Sequence, residues 1–564
     1  MRELSLSKTD RLQAFKGLLL LVLLLAFYLR VTGLGAKSLW QDEIFTVAIA
    51  SPDNSMSEVV SIPLYNTALP APPLYFLITH FFLYVGDNDF LLRFPAMLFG
   101  VLGVAATYTL GARLFGRGTG LVGAFLVAMS LLHERYSQDA RFYGLIVLLS
   151  LLSLYCLWRA LFDRGSKWWA GFVVCTLLNI YTHLFGLFVL ASEIVFIGGL
   201  WIAAVLTDRR RDSDAAGNAG RAEWRSYAFN KQKGLAFAVS LAIIALLYGP
   251  MIPHLVRGLS GRKGLGGVGT PGLSVTPSFL AQLLEGWGNG PGLTLLLFLI
   301  AFVIGVVACA KSLRTQLWLG FCWLIVPFGI LFLVPAKHGF RPRYVLFMLP
   351  LYLLFVGRGL MSLQEGVSTW RQRAWARCGG VCLVLTCLVL AVASLPGLRG
   401  YYEESRSDWK AVAGLLETSF AAGEMIVSPG PFPQVVLPRY SEGLAEATFL
   451  IGGSEVFLSS GGGGQTGIWF VGPGREQMDA TERSLRGAVP LLYKVVFEVD
   501  AESASQGVRL NVAPTMYSDL WVLYVREGLG AEELIERYEE ALQVVPPSVA
   551  SSVHTILGDL YRDR

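Results

Sequence analysis

Leu39-Trp40-Gln41-Asp42-Glu43 sets two adjacent carboxylates just beyond the first long apolar run, residues 17–34. A carboxylate at a membrane surface can take a proton from an attacking hydroxyl. Asp42 is the candidate for that base. The alternative is a solvated start to an interfacial helix, with Asp42 as its N-cap. A second cluster, His133-Glu134-Arg135-Tyr136-Ser137-Gln138-Asp139-Ala140-Arg141-Phe142-Tyr143-Gly144, sits between two apolar runs. Asp139, Arg141 and Tyr143 fall within about one helical turn, so an acid, a cation and a phenol face one interface. A third, Lys337-His338-Gly339-Phe340-Arg341-Pro342-Arg343-Tyr344, concentrates cations between two further runs. Arg93 opens another run in Leu91-Leu92-Arg93-Phe94-Pro95-Ala96, and His183 follows Tyr181-Thr182 in a brief polar break. A sugar phosphate needs such groups: cations for the phosphate, and acids for sugar hydroxyls or a metal. Each cluster alone also reads as boundary residues that snorkel to phospholipid headgroups, and a lone histidine is more often structural. Glu193 lies inside an apolar run, where an acid marks function or a buried partner. The sequence does not name that partner.

The elements that must position these residues are membrane spans. Of 564 residues, 54% are hydrophobic and only 15% charged, where soluble domains carry about 25%. Apolar runs recur as far as Pro396, and none of about 18 residues follows it. The chain therefore divides into a membrane domain, 1–396, and a smaller domain, 397–564, that faces the extracytoplasmic side. The net charge of +5 excludes no class by itself, but it gives no reason to expect a nucleic-acid partner. The seven cysteines all lie in or beside apolar runs, so the tail holds no disulfide framework. The basic residues Arg2, Lys8, Arg11 and Lys16 keep the N-terminus cytoplasmic, ahead of an uncleaved first span.

Further spans fall at about 94–114, 120–132, 142–161, 168–181, 184–206, 234–252, 292–309, 316–334, 344–360 and 378–395, for about eleven in all. Residues 71–86 are too short to cross and are read as an outer-leaflet helix. With that assignment the cytoplasmic loops carry roughly twice as many lysines and arginines as the outer ones. Asp42-Glu43, Asp139, Arg341 and the tail then share the outer face. The Gly-rich stretch 256–291, with Arg257, Arg262 and Lys263, joins them as a loop, either a closing lid or a connector. The tail alternates helical and strand patterns: a helix over 409–420 and strands over 424–428, 468–471, 492–499 and 520–524 predict a small α/β domain. Residues 531–564 read as two helices split by Pro546-Pro547. No Walker or dinucleotide loop is present, and Gly461-Gly462-Gly463-Gly464 lacks the lysine a P-loop needs.

Six motifs in order (Trp-Gln-Asp-Glu at 40–43, Pro-Pro-Leu-Tyr at 72–75, Leu-Arg-Phe-Pro-Ala at 92–96, Tyr-Ser-Gln-Asp-Ala-Arg-Phe-Tyr at 136–143, Tyr-Thr-His at 181–183 and Arg-Pro-Arg-Tyr at 341–344) carry a resemblance. The chain resembles the bacterial relatives of protein O-mannosyltransferases and lipid A aminoarabinose transferases, over about residues 15–415. These are multi-span GT-C glycosyltransferases that use polyprenyl-phosphate sugars. The resemblance implies a mostly α, polytopic helix bundle of GT-C type and inverting transfer to an envelope protein, lipid or glycan. It implies Asp42 as base or metal-side acid, Glu43 in support, Arg93 and Asp139 at matching positions, and Arg341 and Arg343 near the lipid phosphate; Arg141, Tyr143, His183 and Tyr344 beside them are further candidates for holding the donor phosphate and sugar. It leaves room for a divalent cation, with Asp42 and Asp139 its candidate ligands. Before Pro72-Pro73 the aminoarabinose transferases have an acidic and a basic residue, and here Leu69-Pro70-Ala71 stands instead. Two rivals stay open: a transporter or flippase of lipid-linked sugars, and a non-catalytic envelope assembly subunit. No internal repeat of the kind transporters show is present.

Overall fold

The computed structural model describes residues 8–65, 71–163, 165–211, 231–260, 275–333, 341–370, 374–403, 409–419, 425–428, 432–451, 468–473, 495–499 and 520–525. Two compact units emerge. One comprises Met1–Leu34, Ile49–Asp87 and Leu91–Tyr401; the other comprises Gly35–Ala48, Asn88–Phe90 and Tyr402–Arg564. The segment that carries Asp42 and Glu43 thus belongs with the C-terminal part of the chain.

The first unit is helical. Its helices are α1 (Lys8–Val31), the end of α2 (Gln41–Ala50), α3 (Met56–Tyr65), α4 (Leu74–Leu83), α5 (Asp89–Leu114), α6 (Arg117–Ala128), α7 (Leu131–Ser137), α8 (Tyr143–Phe162), α9 (Lys167–Thr182), α10 (Gly186–Arg211), α11 (Lys231–Tyr248), α12 (Ile252–Ser260), α13 (Pro277–Trp287), α14 (Leu293–Ser312), α15 (Arg314–Leu333), α16 (Leu349–Trp370) and α17 (Ala374–Glu403). Among the described residues, eight helices are long and apolar enough to cross a membrane. Helix α4 has ten residues, about 15 Å of length, or half a hydrocarbon core of ~30 Å. Helix α6 is also short, because the run predicted over 120–132 breaks at Met129-Ser130. Ser130 caps α7 by accepting from the His133 amide at 3.4 Å.

The core is built on α16 and the 3-10 turn before it, Pro342–Met348. Val345 to Leu349 and Leu351 to Val356 are almost wholly buried. Neighbouring helices reach this strand of buried side chains through small residues. A Cβ on Gly359 would stand 1.9 Å from the Ala301 carbonyl oxygen, and one on Gly305 would stand 2.0 Å from that of Phe355. Close backbone approach of this kind suits lipid, where apolar burial offers helices little drive to associate. Trp318 on α15 does the same work beside Gly199 on α10, and its Nε1 donates to the Phe196 carbonyl at 3.1 Å.

The stretch 256–291, expected to be a loop, contains the end of α12 and all of α13. Thr276 caps α13 through the Phe279 amide, and Phe279, Leu283 and Trp287 bury the apolar face. Residues 261–274, which would form the flexible part of a lid, and the helix pair expected at 531–564 lie outside the described residues. Helix α17 runs through Pro396 to Glu403, past the end expected at 395.

In the second unit, α18 (Trp409–Ser419) packs on α19 (Phe432–Tyr440) through Val412, Ala413, Leu416, Val436 and Leu437. Five strands, β1 (Met425–Ser428), β2 (Thr448–Ile451), β3 (Ile468–Pro473), β4 (Val495–Val499) and β5 (Leu520–Val525), form one sheet in the order β2-β1-β3-β5-β4. β1 lies parallel to β2 and β3, and β5 is antiparallel to β3 and β4. Parallel pairing of β1 and β2 requires a crossover, and α19 supplies it. Neither α19 nor β2 was predicted from the sequence.

Gly359→Ala is expected to lower stability by about 1–3 kcal/mol through overpacking. Gly329→Ala, whose Cβ would meet nothing within 4 Å, should leave it unchanged. Thermal unfolding in detergent measures both.

Candidate active site

The carboxylate pair opens α2. The helix begins at Gln41, so Trp40 takes the N-cap position and both acids fall in the first turn. Glu43 is fully buried, and its Oε2 accepts from the Trp40 backbone N–H at 3.3 Å. This is half of a capping box, in which the third helical residue reaches back to the N-cap amide. Asp42 is only partly buried, and its carbonyl accepts from Thr46 Oγ1 at 3.1 Å. The positive end of the helix favours a carboxylate at either position. Glu43 therefore secures the turn, and Asp42 is the member of the pair with exposed surface. Both belong to the second unit, and the other candidates belong to the first.

Within the first unit, three of the motifs meet in a ladder of rings. Tyr136 packs on Tyr143 with centroids 5.0 Å apart, and Tyr143 on Phe142 at 4.7 Å. Phe142 stacks on His183 at 4.2 Å, His183 on Phe185 at 4.9 Å, and Phe185 on Tyr344 at 5.5 Å. The ladder carries a guanidinium toward each end. Arg141 lies 5.1 Å over Phe142, and Arg343 lies 5.4 Å over Tyr344. Cations over aromatic faces gain from the ring quadrupole. Arg341 is exposed and opens the turn, its carbonyl accepting from the Tyr344 amide at 3.0 Å. Asp139 is buried in the bend before Arg141, whose amide donates to its carbonyl at 2.6 Å. Lys337 and His338, from the same motif as Arg341, lie outside the described residues.

Arg93 is buried on α5, and its Nη1 donates to the Leu34 carbonyl at 3.0 Å. Close by in sequence, α5 meets the start of α8: a Cβ on Gly144 would stand 2.8 Å from the Ala96 carbonyl oxygen. Only glycine lets the two helices approach so closely beside Tyr143. Glu193 has a partner the sequence could not name. Ser153 Oγ donates to its Oε1 at 2.8 Å and lies 3.0 Å from Thr176 Oγ1. Asn179 donates to Ser150 one turn away, at 3.0 Å. Glu193 thus anchors a polar seam between α8, α9 and α10. Among the described residues, no three His, Cys, Asp or Glu side chains gather into a metal cage.

Arg30 escaped the sequence reading. It is fully buried near the end of α1 and pairs with Glu134 at 3.0 Å. Its Nη1 also donates to Ala26 and Ala128 carbonyls at 3.1 and 3.3 Å, and its Nη2 to the Val127 carbonyl at 3.3 Å. Nη2 meets His133 Nδ1 at 2.9 Å. A guanidinium can only donate, so Nδ1 accepts and the neutral ring carries its proton on Nε2. Next along, Gln138 Nε2 donates to the carbonyls of Leu29, Arg30 and Thr32 at 3.2, 3.0 and 2.9 Å, and its Oε1 accepts from the Tyr401 hydroxyl at 2.8 Å. These bonds fix the stretch that leads into Asp139, Arg141 and Tyr143. Removing one partner of such a buried pair costs about 3–5 kcal/mol.

Two histidines here are held neutral. Burial, and then the Arg30 charge, push His133 well below its ordinary value. Burial, and then the Arg141 charge, push His183 down to about 3. An unfolded histidine titrates near ~6.5. Below that pH the unfolded chain binds protons that the folded chain refuses, so stability falls as pH drops from about 6.5 toward 3. The melting temperature in detergent should decline over that window, and His183→Asn, which cannot charge, should flatten the decline. An unchanged slope would contradict the neutral assignment.

Residues 70–206 match the family model described as dolichyl-phosphate-mannose-protein mannosyltransferase. That range includes Arg93, Asp139, Arg141, Tyr143 and His183. No curated protein matches the sequence. The fold is similar to that of ArnT from Cupriavidus metallidurans in the apo state, with TM-score 0.53 and 14% identity over 90% of this chain and 98% of that one. ArnT bound to undecaprenyl phosphate is similar at TM-score 0.50 and 13% identity, over 92% and 98% of the two chains. The oligosaccharyltransferase AglB from Archaeoglobus fulgidus gives TM-score 0.47 and 10% identity, over 81% and 69%. The chain shares the fold of ArnT, and within it residues 70–206 carry the match to the mannosyltransferase family model.

Proposed function

We propose that this protein moves a sugar from a polyprenyl-phosphate donor to an envelope acceptor: a protein, a lipid or a polysaccharide. The observation that carries the reading is the ring ladder with Arg141 and Arg343 over its faces. It offers flat apolar surfaces and two cations in one corner of a GT-C fold. The donor phosphate would lie against the cations, and His183, neutral and stacked between Phe142 and Phe185, would line the sugar side. Arg93 and Asp139 would complete the corner, with Arg341 and Tyr344 at its rim.

The reaction needs a base and a charge acceptor. The acceptor hydroxyl gives its proton to Asp42 as its oxygen bonds to the anomeric carbon. The bond from that carbon to the phosphate oxygen breaks, and polyprenyl phosphate leaves. Positive charge at Arg141 and Arg343 stabilises the departing phosphate. In-line attack inverts the anomeric centre. Mannose stands first among the candidate sugars because the matching family model concerns mannosyl transfer. The excess of basic residues on alternate loops supports a cytoplasmic N-terminus, about eleven spans and an extracytoplasmic α/β domain. An acid inside a span such as Glu193 would favour a transporter, and the hydrogen bond it accepts from Ser153 supports a structural role for it.

A panel of radiolabelled polyprenyl-phosphate sugars, offered to the purified protein in membranes with envelope extract, tests the reading. Wild type should transfer one of them, and Asp42→Asn at matched folding should lose roughly 10²-fold or more. Equal transfer by both would remove Asp42 from the mechanism. No transfer by folded wild type across the panel would contradict the enzyme reading.

A further inference from the structure

The second unit holds a cluster that the chemistry above does not use. Asp89 is almost wholly buried and receives three partners from the C-terminal part of the chain. Arg439 Nε donates to Oδ1 at 3.0 Å, the Tyr440 hydroxyl donates to Oδ2 at 3.0 Å, and Lys410 Nζ pairs with Oδ2 at 3.2 Å. The same groups then reach the backbone that leads to Asp42. Lys410 Nζ donates to the carbonyls of Gly35 and Ala36 at 2.9 and 3.1 Å, and the Lys410 amide donates to Ser38 Oγ at 3.2 Å. The Tyr440 oxygen accepts from the Leu39 amide at 3.0 Å. Lys410 Nζ lies 5.4 Å over the Tyr440 ring, so the two fingers brace each other.

Residues 32–40 are irregular, and no helix or strand fixes them. Bonds at Gly35, Ala36, Ser38 and Leu39 hold this connection just before Trp40 caps α2. Gly35 adds a steric limit, since its Cβ would come 3.3 Å from Phe90 Cβ. One residue past Leu39, the Trp40 amide donates to the Glu43 carboxylate and closes the capping turn that presents Asp42.

We infer that Lys410 and Tyr440, aligned by Asp89 and Arg439, are positioning residues for Asp42. The C-terminal part of the chain is then a working piece of the active centre and not an accessory cap. This rests on the reading of Asp42 as base. A misplacement of about 1 Å in a reacting group can lower a rate by roughly 10², so loosening the connection should lower kcat and spare donor binding, which the proposed function assigns to other residues.

The test uses the full chain in lipid nanodiscs, with Tyr440→Phe, which removes one hydroxyl, and Lys410→Met, which keeps the stem and removes the charge. Hydrogen exchange at residues 35–48 should quicken by about tenfold in both. Sugar transfer should show kcat lowered by about tenfold with KM for the donor unchanged. Lys410→Arg, which keeps a cation for Asp89 and the carbonyls, should recover most of kcat. Unchanged exchange, or faster exchange with wild-type kcat, would overturn the positioning role while leaving Asp42 as base. If wild type transfers no sugar, the base assignment fails and the inference falls with it, whatever the exchange shows.

Discussion

A guanidinium shut away from both water and lipid must find every partner inside the protein. The two terminal nitrogens of Arg30 meet that demand with Glu134, His133 and the last carbonyls of α6, while its Nε is left without a hydrogen bond. The demand is strict, because burying an unpaired charge would cost more than most single contacts return. It ties the end of the first span to the 131–138 segment, and Gln138 repeats the tie through three carbonyls of the chain just beyond. The bend at Asp139 and the start of α8 follow directly. The placement of Arg141, Phe142 and Tyr143 therefore depends on the Arg30–Glu134 ion pair.

That anchoring explains how separate motifs come to share one corner. Helix α8 starts where Gly144 lets it press against α5. The break after α9 leaves His183 at the level of Phe142, and the 3-10 turn at Pro342–Met348 brings Tyr344 to Phe185. Rings stack on His183 from both sides, and burial holds it neutral. The arginines next to Phe142 and Tyr344 in sequence lie over those rings. Apolar faces next to fixed cations are what a lipid phosphate carrying a sugar requires, and the arrangement rests on a scaffold closed by glycine contacts between α14 and α16.

Much of this was legible. The long apolar runs identified most spans, and the motifs at 136–143, 181–183 and 341–344 contain the residues that meet. What escaped did so for physical reasons. Arg30 ends an apolar run and reads as a snorkelling boundary residue, since its partner lies about a hundred positions away. Glu43 looked like a second working acid, because Trp40 at the N-cap hides the capping box that a serine or aspartate would have announced. Ser130 split a run that hydropathy treats as continuous. Most of all, pattern cannot show that residues 35–48 group with the C-terminal part of the chain, because that grouping is made by Lys410, Tyr440 and Asp89 across more than 300 positions.

The most direct measurement is the affinity of a polyprenyl phosphate for the full-length protein in nanodiscs, comparing wild type with an Arg141→Gln, Arg343→Gln double variant of equal melting temperature. Charge-assisted bonds to a phosphate contribute roughly 1.5–3 kcal/mol. The account predicts that wild type binds and that the variant binds at least about tenfold more weakly. Equal affinity in the two proteins would contradict it, and the lipid phosphate would have to be sought elsewhere in the chain.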